Sequence, residues 1–429
     1  MTRRHVVVLG TGAVGAASAI EALRAGMRVT VVDPGPPGAA HATSYGNAGW
    51  LSSHSVIPPA TPGVWRQVPR WLIDPLGPLA VRWRHLPRAA PWLARYLASG
   101  WTPARLERTA QALRTLLADA PALHRQLARE AGAAHLIEQR GVLHAWRSRE
   151  DFEGEALSWD IRRRVGVRWT ALPEAALREA EPDLHPRYRF GVHVAEAGSC
   201  RNPGAYVAAL AAHARAQGAE RVAARAVGFR LQDDRLRAVR LDDGSEIACD
   251  AAVVSAGARS AALSASAGNP VRLETERGYH VVLPGAGAGP RTPVMAADCK
   301  MIVNWTDTGL RAAGQVEIAG LDAPPDWRRA AILRDHLRGM FPGLPADLPD
   351  DAFVPWMGHR PSLPDGLPVL GPARRSRDIV LAFGHGHVGL GGSARTGRLV
   401  AQLLAGRPPE ISLAPFDPAR PMAARGRPA

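Results

Sequence analysis

Cysteine is nearly absent from this 429-residue chain: Cys200, Cys249 and Cys299 stand far apart, with no C-x-x-C spacing. That excludes a disulfide framework and a cysteine-ligated metal centre, and it fits a reducing cytoplasm. No metal site is expected. Lysine is scarcer still, because Lys300 is the only one and arginine supplies the rest of the 53 basic residues. The resulting net charge of +14 is spread from Arg3 to Arg427 without forming one patch. One reading of this excess is a GC-rich coding bias. The other is attraction to an anionic membrane surface or to acidic substrates. Basic and aromatic residues do not interleave as in a known nucleic-acid module, so no nucleic-acid partner is expected. Uncharged apolar runs of about 18 residues are also missing, which argues against a bilayer span. A strand beginning at His5 leaves no room for a signal peptide, so a cytoplasmic location is expected.

What is present is the composition of a folded enzyme, 46% hydrophobic and 21% charged. A chain of this length exceeds one hydrophobic core and suits two units. Residues 5–9 (His-Val-Val-Val-Leu) form a short apolar run of the kind buried on both faces of a parallel sheet. A glycine-rich turn follows, then an Ala/Leu/Ile-rich helix over 13–25 stopped by Gly26, then a second β-branched run over 28–32. Further along, the spacing predicts one long helix over 102–131 and another over 203–218, with Asn202 as its N-cap and Pro203 in its first turn. A hairpin is expected over 225–244, turning at Asp233-Asp234. Buried strands are expected at 251–255 and 379–383, and half-buried antiparallel strands at 274–283 and 300–318. A last helix is expected over 393–405.

Gly10-Thr11-Gly12-Ala13-Val14-Gly15 matches G-x-G-x-x-G between that first strand and first helix. Gly10 permits the tight turn, Gly12 lets a pyrophosphate approach the backbone, and Gly15 allows close helix–strand packing. The helix N-terminus offers unpaired N–H groups and partial positive charge to phosphates. Asp33 closes the second strand, where a carboxylate can accept the ribose hydroxyls. Two later glycine-rich strand ends, Ala256-Gly257 and Gly384 to Gly389, favour FAD over NAD. A long ligand needs contacts at its adenine, pyrophosphate and flavin ends, and the final helix could face the flavin edge that gathers charge on reduction.

These features resemble the D-amino-acid oxidase superfamily of flavoproteins, and within it the bacterial D-amino-acid dehydrogenase branch. Besides the first βαβ unit, Thr43-Ser44-Tyr45-Gly46-Asn47-Ala48-Gly49 is similar to a flavin-wrapping T-S-x-x-N-A-G segment. Glu276-Arg277-Gly278-Tyr279-His280 resembles an E-R-G-Y-H strand, and 358–366 a G-x-R-P-x-x-P-D-G segment. Residues 384–389 (Gly-His-Gly-His-Val-Gly) resemble the flavin-facing loop. His359, Leu363 and His387 depart from the residues common at their positions. The resemblance implies an α/β Rossmann-like FAD-binding domain (1–57, 196–262 and 353–429). It would be interleaved with an α+β substrate domain (58–195 and 263–352) built on a mainly antiparallel sheet, with a Trp/Arg-rich excursion over 58–131. It also implies non-covalent FAD held by Gly10, Gly12, Ala13, Val14, Gly15, Asp33, Thr43, Ser44, Asn47, Ala48, Gly49, Val227, Ala256, Gly257, Gly384, Gly386, His387, Val388 and Gly389.

The implied activity is oxidation of a D-amino acid, D-proline or hydroxyproline included, by hydride transfer from Cα. A quinone, an electron-transfer protein or oxygen would accept the electrons. The rival activity is a glycine- or sarcosine-type oxidase, and a more remote one a non-catalytic flavin- or RNA-associated protein. Arg360 is the leading clamp for the substrate carboxylate, because a guanidinium offers two parallel donors. Tyr279 is the second candidate and His387 the third. Alternation along the strand turns His280 away from whatever Tyr279 faces. For the Trp/Arg excursion two readings stand: contact with the inner face of the cytoplasmic membrane, or a helical cap that buries its tryptophans.

Overall fold

A computed structural model describes residues 3–63, 77 and 79–423. Its first sheet has six strands in the order Glu220–Val222, Arg28–Val32, His5–Leu9, Ala251–Val254, Ile379–Phe383 and Val369–Pro372. The first five run parallel and the sixth antiparallel. His5–Leu9, Ala251–Val254 and Ile379–Phe383 are buried along their whole length. That is why they read as unbroken apolar runs. Helices Ala13–Arg24 and Gly389–Leu404 pack on each other, and a methyl group at Gly397 would come within 2.7 Å of the Ala17 backbone. Glycine at that position lets the two helix axes close up.

The second sheet is larger and mainly antiparallel. Its order is Val354–Ser362, Glu274–Leu283, Gly309–Ile318, Met301–Thr306, Val294–Ala296, Val142–Trp146, Phe190–Val194 and Thr170–Leu172. Leu79–Val81 joins it alongside Gly309–Ile318. Helix Arg328–Met340 covers one face, where Leu333, Leu337 and Met340 share a core with Tyr279, Val281 and Leu283. The opposite face looks towards the loops at the end of the parallel sheet. The architecture is therefore a Rossmann-like α/β unit interleaved with an α+β unit.

Local expectations hold in several places. The Asn202 side chain accepts a hydrogen bond from the Ala205 backbone N–H at the start of helix Pro203–Ala216. The 225–244 hairpin turns with φ of 49° at Asp233 and 57° at Asp234. Aspartate tolerates this left-handed region better than most residues.

Three expectations need correction. The span 102–131 is two helices, Pro103–Leu117 and Ala120–Glu130, because Pro121 opens a new first turn and cannot continue the old helix. The last helix begins at Gly389, four residues earlier than expected from the apolar period. Strand Val354–Ser362, expected within the FAD-binding segment 353–429, pairs instead with Glu274–Leu283 in the large sheet.

In the 58–131 excursion, helix Leu86–Ser99 buries Trp92 and Tyr96 beside Ala60, Ala89 and Ile318, as a cap would. Trp83 and Trp101 are largely exposed, whereas Trp65 and Trp71 lie outside the described residues. Among the described residues no helix is long and apolar enough to cross a membrane.

Candidate active site

Parallel strands bring their carboxyl ends to one edge, so Gly10, Asp33, Ser255 and Gly384 meet there although they are far apart in sequence. Such an edge is where ligands bind in open α/β sheets. Gly10 has a φ of 98°, and a methyl group on it would lie 2.7 Å from the Ser255 carbonyl oxygen. At Gly15 an added methyl would overlap the Gly10 carbonyl. Asp33 accepts hydrogen bonds from the Thr11 N–H at 2.7 Å and the Gly35 N–H at 2.9 Å. Its carboxylate therefore sits at the mouth of the glycine turn. Ser44 reaches the same place, its hydroxyl accepting from the Ala13 N–H at 3.1 Å. Gly12 and Val14 complete the turn, and Gly257, with φ of 56°, opens a short 3-10 turn just past Ala256.

The 43–49 loop ties this cradle to the large sheet. The Thr43 hydroxyl donates to the His359 carbonyl at 2.6 Å, and Arg311 donates to the Asn47 carbonyl at 2.8 Å. Asn47 caps its own turn by accepting from the Gly49 N–H, and Ala48 is held between them. Trp356 packs over Gly46 and stacks on His280, whose Nδ1 lies 3.2 Å from the Gly46 carbonyl oxygen. Burial pushes the His280 imidazole down to about 3, with Arg311 adding to the effect. A neutral ring fits that stacked, apolar position. Val227 stands apart from this assembly, at the bulge between Ala226 and Gly228, with its side chain exposed.

On the sheet face turned towards these loops, strands Glu274–Leu283 and Val354–Ser362 place Glu276 opposite Arg360. The Arg360 guanidinium lies across Gly278, where any side chain would collide with it, and donates to the Gln315 carbonyl at 3.1 Å. Burial lowers the guanidinium's pKa while the Glu276 charge opposes that shift. The Glu276 carboxylate accepts from the Ser362 hydroxyl at 2.6 Å and is 3.0 Å from Nε2 of His387. Burial alone would raise this carboxyl, but His387, Ser362 and Arg360 together hold it below the usual range. Helix Leu86–Ser99 roofs the group: Trp92 donates its indole N–H to the Ser362 carbonyl, and the stacked Tyr96 phenol is raised by burial and by the Glu276 charge.

His387, Val388 and Gly386 lie in the short 3-10 turn that leads into helix Gly389–Leu404. Gly384 and Gly386 both take left-handed φ, 84° and 51°. His385 points the other way, with its Nε2 2.9 Å from the Thr396 hydroxyl, and burial pulls it down to about 4.

Tyr279 is the correction here. Its hydroxyl donates to Glu317 at 2.6 Å and accepts from the Asp326 N–H at 3.0 Å, and its ring meets Trp327 edge-on. Burial, then the bond to Glu317, raises the phenol to about 12. All of this lies on the helix-covered face, opposite to Arg360. The parity between Tyr279 and His280 was legible, but which of them faces the cofactor loops was not. The sequence reading also missed Glu276, Ser362 and Tyr96. Strand Glu274–Leu283, expected half-buried, is buried at every position after Glu274, so the expected alternation gave no signal that singled out Glu276.

The residues present suit FAD. Glycine turns too tight for any Cβ, a helix N-terminus and an acid at the second strand end fit a dinucleotide. A second helix N-terminus, at Gly389, lies beside the Arg360 face. The family model for FAD dependent oxidoreductases matches residues 5–403. A protein named D-amino-acid oxidase from Bradyrhizobium diazoefficiens is 65% identical, covering 97% of this chain and 99% of its own. A D-amino acid dehydrogenase of Paramagnetospirillum magneticum is 34% identical, covering 95% of this chain and 96% of its own. Among solved structures, the glycine oxidase of Geobacillus kaustophilus aligns with a TM-score of 0.72 at 22% identity, over 98% of this chain and 99% of that one. The L-proline dehydrogenase of P.horikoshii aligns with 0.74 at 17% identity, over 97% of each. At those identities the two structures speak for the fold.

Proposed function

Because the chain belongs to the family of FAD-dependent oxidoreductases, we propose that it oxidises the Cα–N bond of D-amino acids. The first product is an imino acid, which water converts to a 2-oxo acid and ammonia. The observation that carries this reading is the Arg360 guanidinium, set across Gly278 on the one sheet face that looks towards both flavin loops. Two relatives whose names specify D-amino acids, matched over nearly their full length, favour the D-enantiomer.

In this reading Gly10, Gly12, Ala13, Val14 and Gly15 hold the pyrophosphate, and Asp33 holds the ribose. Thr43, Ser44, Asn47, Ala48 and Gly49 wrap the flavin, with Ala256, Gly257, Gly384, Gly386, Val388 and Gly389 on its other sides. Val227 meets the adenine through its backbone. Bound FAD supplies the hydride acceptor, and the hard chemistry is the cofactor's. The chain's own task is positioning. Arg360 takes the substrate carboxylate through paired N–H donors, which fixes Cα against the cofactor. Holding the reacting atoms in such an arrangement lowers a barrier by about 7–11 kcal/mol in well-oriented systems. Trp92 and Tyr96 close the site from above. Electrons then pass to a quinone, an electron-transfer protein or oxygen.

The test is anaerobic mixing of the yellow holoenzyme with matched D- and L-amino acids. Bleaching of the flavin by D-enantiomers alone is expected, with D-proline in the panel. Bleaching by L-enantiomers alone, or by none, would overturn the reading.

A further inference from the structure

Resting on that reading, we propose that His387, oriented by Glu276, takes the proton that the substrate ammonium must lose before hydride can leave Cα. An amino acid reaches the site as a zwitterion, and its Cα–H cannot depart as hydride while the nitrogen lone pair is tied up in an N–H bond. Near neutral pH, a base beside the carboxylate clamp spares the reaction from waiting on the small fraction of free amine that solvent supplies. The geometry points to one pair. Glu276 is buried and faces Arg360 across adjacent strands, so a carboxylate held by Arg360 lies beside the Glu276–His387 pair. The Glu276 oxygen is 3.0 Å from Nε2 of His387. A carboxylate only accepts, so it fixes the imidazole tautomer with hydrogen on Nε2 and leaves the Nδ1 lone pair free. The His387 side chain is 39% exposed, against 5% for Glu276, so the pair has one buried and one open end.

Among the described residues, the charged and titratable groups facing the pair are few. Arg360 faces it from strand Val354–Ser362, and Tyr96 faces it from helix Leu86–Ser99. His385, in the same loop, is engaged by Thr396. Glu276, held ionised against its burial by His387, Ser362 and Arg360, offsets the imidazolium charge once the proton has moved. The step balances. The proton passes from the ammonium nitrogen to Nδ1, leaving a neutral amine. The nitrogen lone pair then forms the C=N bond as the Cα–H bond breaks, and the hydride takes two electrons from the substrate to oxidised FAD. His387 is thus a catalytic residue and Glu276 a positioning residue.

Stopped-flow flavin reduction by a D-amino acid, followed against pH, tests this on the holoenzyme. His387→Gln changes a half-exposed side chain, and its flavin absorbance reports intact cofactor binding. Its limiting reduction rate near neutral pH is expected to fall about a hundredfold, the lower range for loss of an acid–base group. The rate should climb back at alkaline pH as solvent supplies the free amine. Glu276→Gln, of equal size, should show the same tilted pH profile in weaker form. A His387→Gln enzyme as fast as wild type, or slowed equally at every pH, would overturn the proposal while leaving D-amino-acid oxidation standing. Failure of wild-type flavin to bleach would overturn both.

Discussion

The glycine turn at the edge of the parallel sheet is built mainly of backbone, whereas the face carrying Arg360 is built of side chains. At the cradle, Gly10 and Gly15 act by having no Cβ, and Asp33 binds two backbone N–H groups. At the Arg360 face, Arg360, Glu276, Ser362 and His387 come from three separate segments and hold one another by charge and hydrogen bonds. The first arrangement is rigid and tolerates almost no change of shape. The second can be re-tuned one side chain at a time, which suits the substrate-selecting role proposed for it.

Substitutions can sharpen that contrast. The largest effect is expected at Gly15→Ala, whose new methyl overlaps the Gly10 carbonyl. Overpacking of this kind costs about 1–3 kcal/mol of stability. Here it also moves the pyrophosphate turn, so the purified variant should be colourless and melt lower than wild type. Full flavin content would break the claim that the cradle depends on the missing Cβ at Gly15. The smallest kinetic effect is expected at Tyr279→Phe. That hydroxyl serves Glu317 and Asp326 on the helix-covered face. Its loss should destabilise the fold by about 1–3 kcal/mol in a thermal melt while leaving the KM for amino acid unchanged. A raised KM would return Tyr279 to the substrate side.

The same contrast explains what the sequence disclosed. Gly10 to Gly15 and Asp33 were legible because the turn, the helix start and the strand end are near neighbours along the chain. Arg360 was singled out by its motif, and the parallel sheet was legible through its unbroken apolar strands. Glu276 was not, although it stands inside a recognisable segment. Its importance arises on meeting Ser362 and His387, 86 and 111 residues away. Tyr279 was placed on the wrong face because alternation gives parity but not direction. The strand is also irregular between Arg277 and Tyr279 where it pairs with Gly309–Ile318. The place of Val354–Ser362 in the large sheet was hidden for a similar reason: a strand's own pattern does not name its partner.

Whether the two regions form a single site is measurable with a carboxylate that cannot be oxidised. Benzoate titrated into wild-type holoenzyme should shift the flavin absorption saturably. In Arg360→Leu the shift should need at least about a hundredfold more benzoate. Truncating one partner of a buried charge pair costs about 3–5 kcal/mol, and each factor of ten in affinity is worth about 1.4 kcal/mol. A flavin spectrum indifferent to benzoate, or equally sensitive in the two proteins, would mean that Arg360 does not stand beside the cofactor.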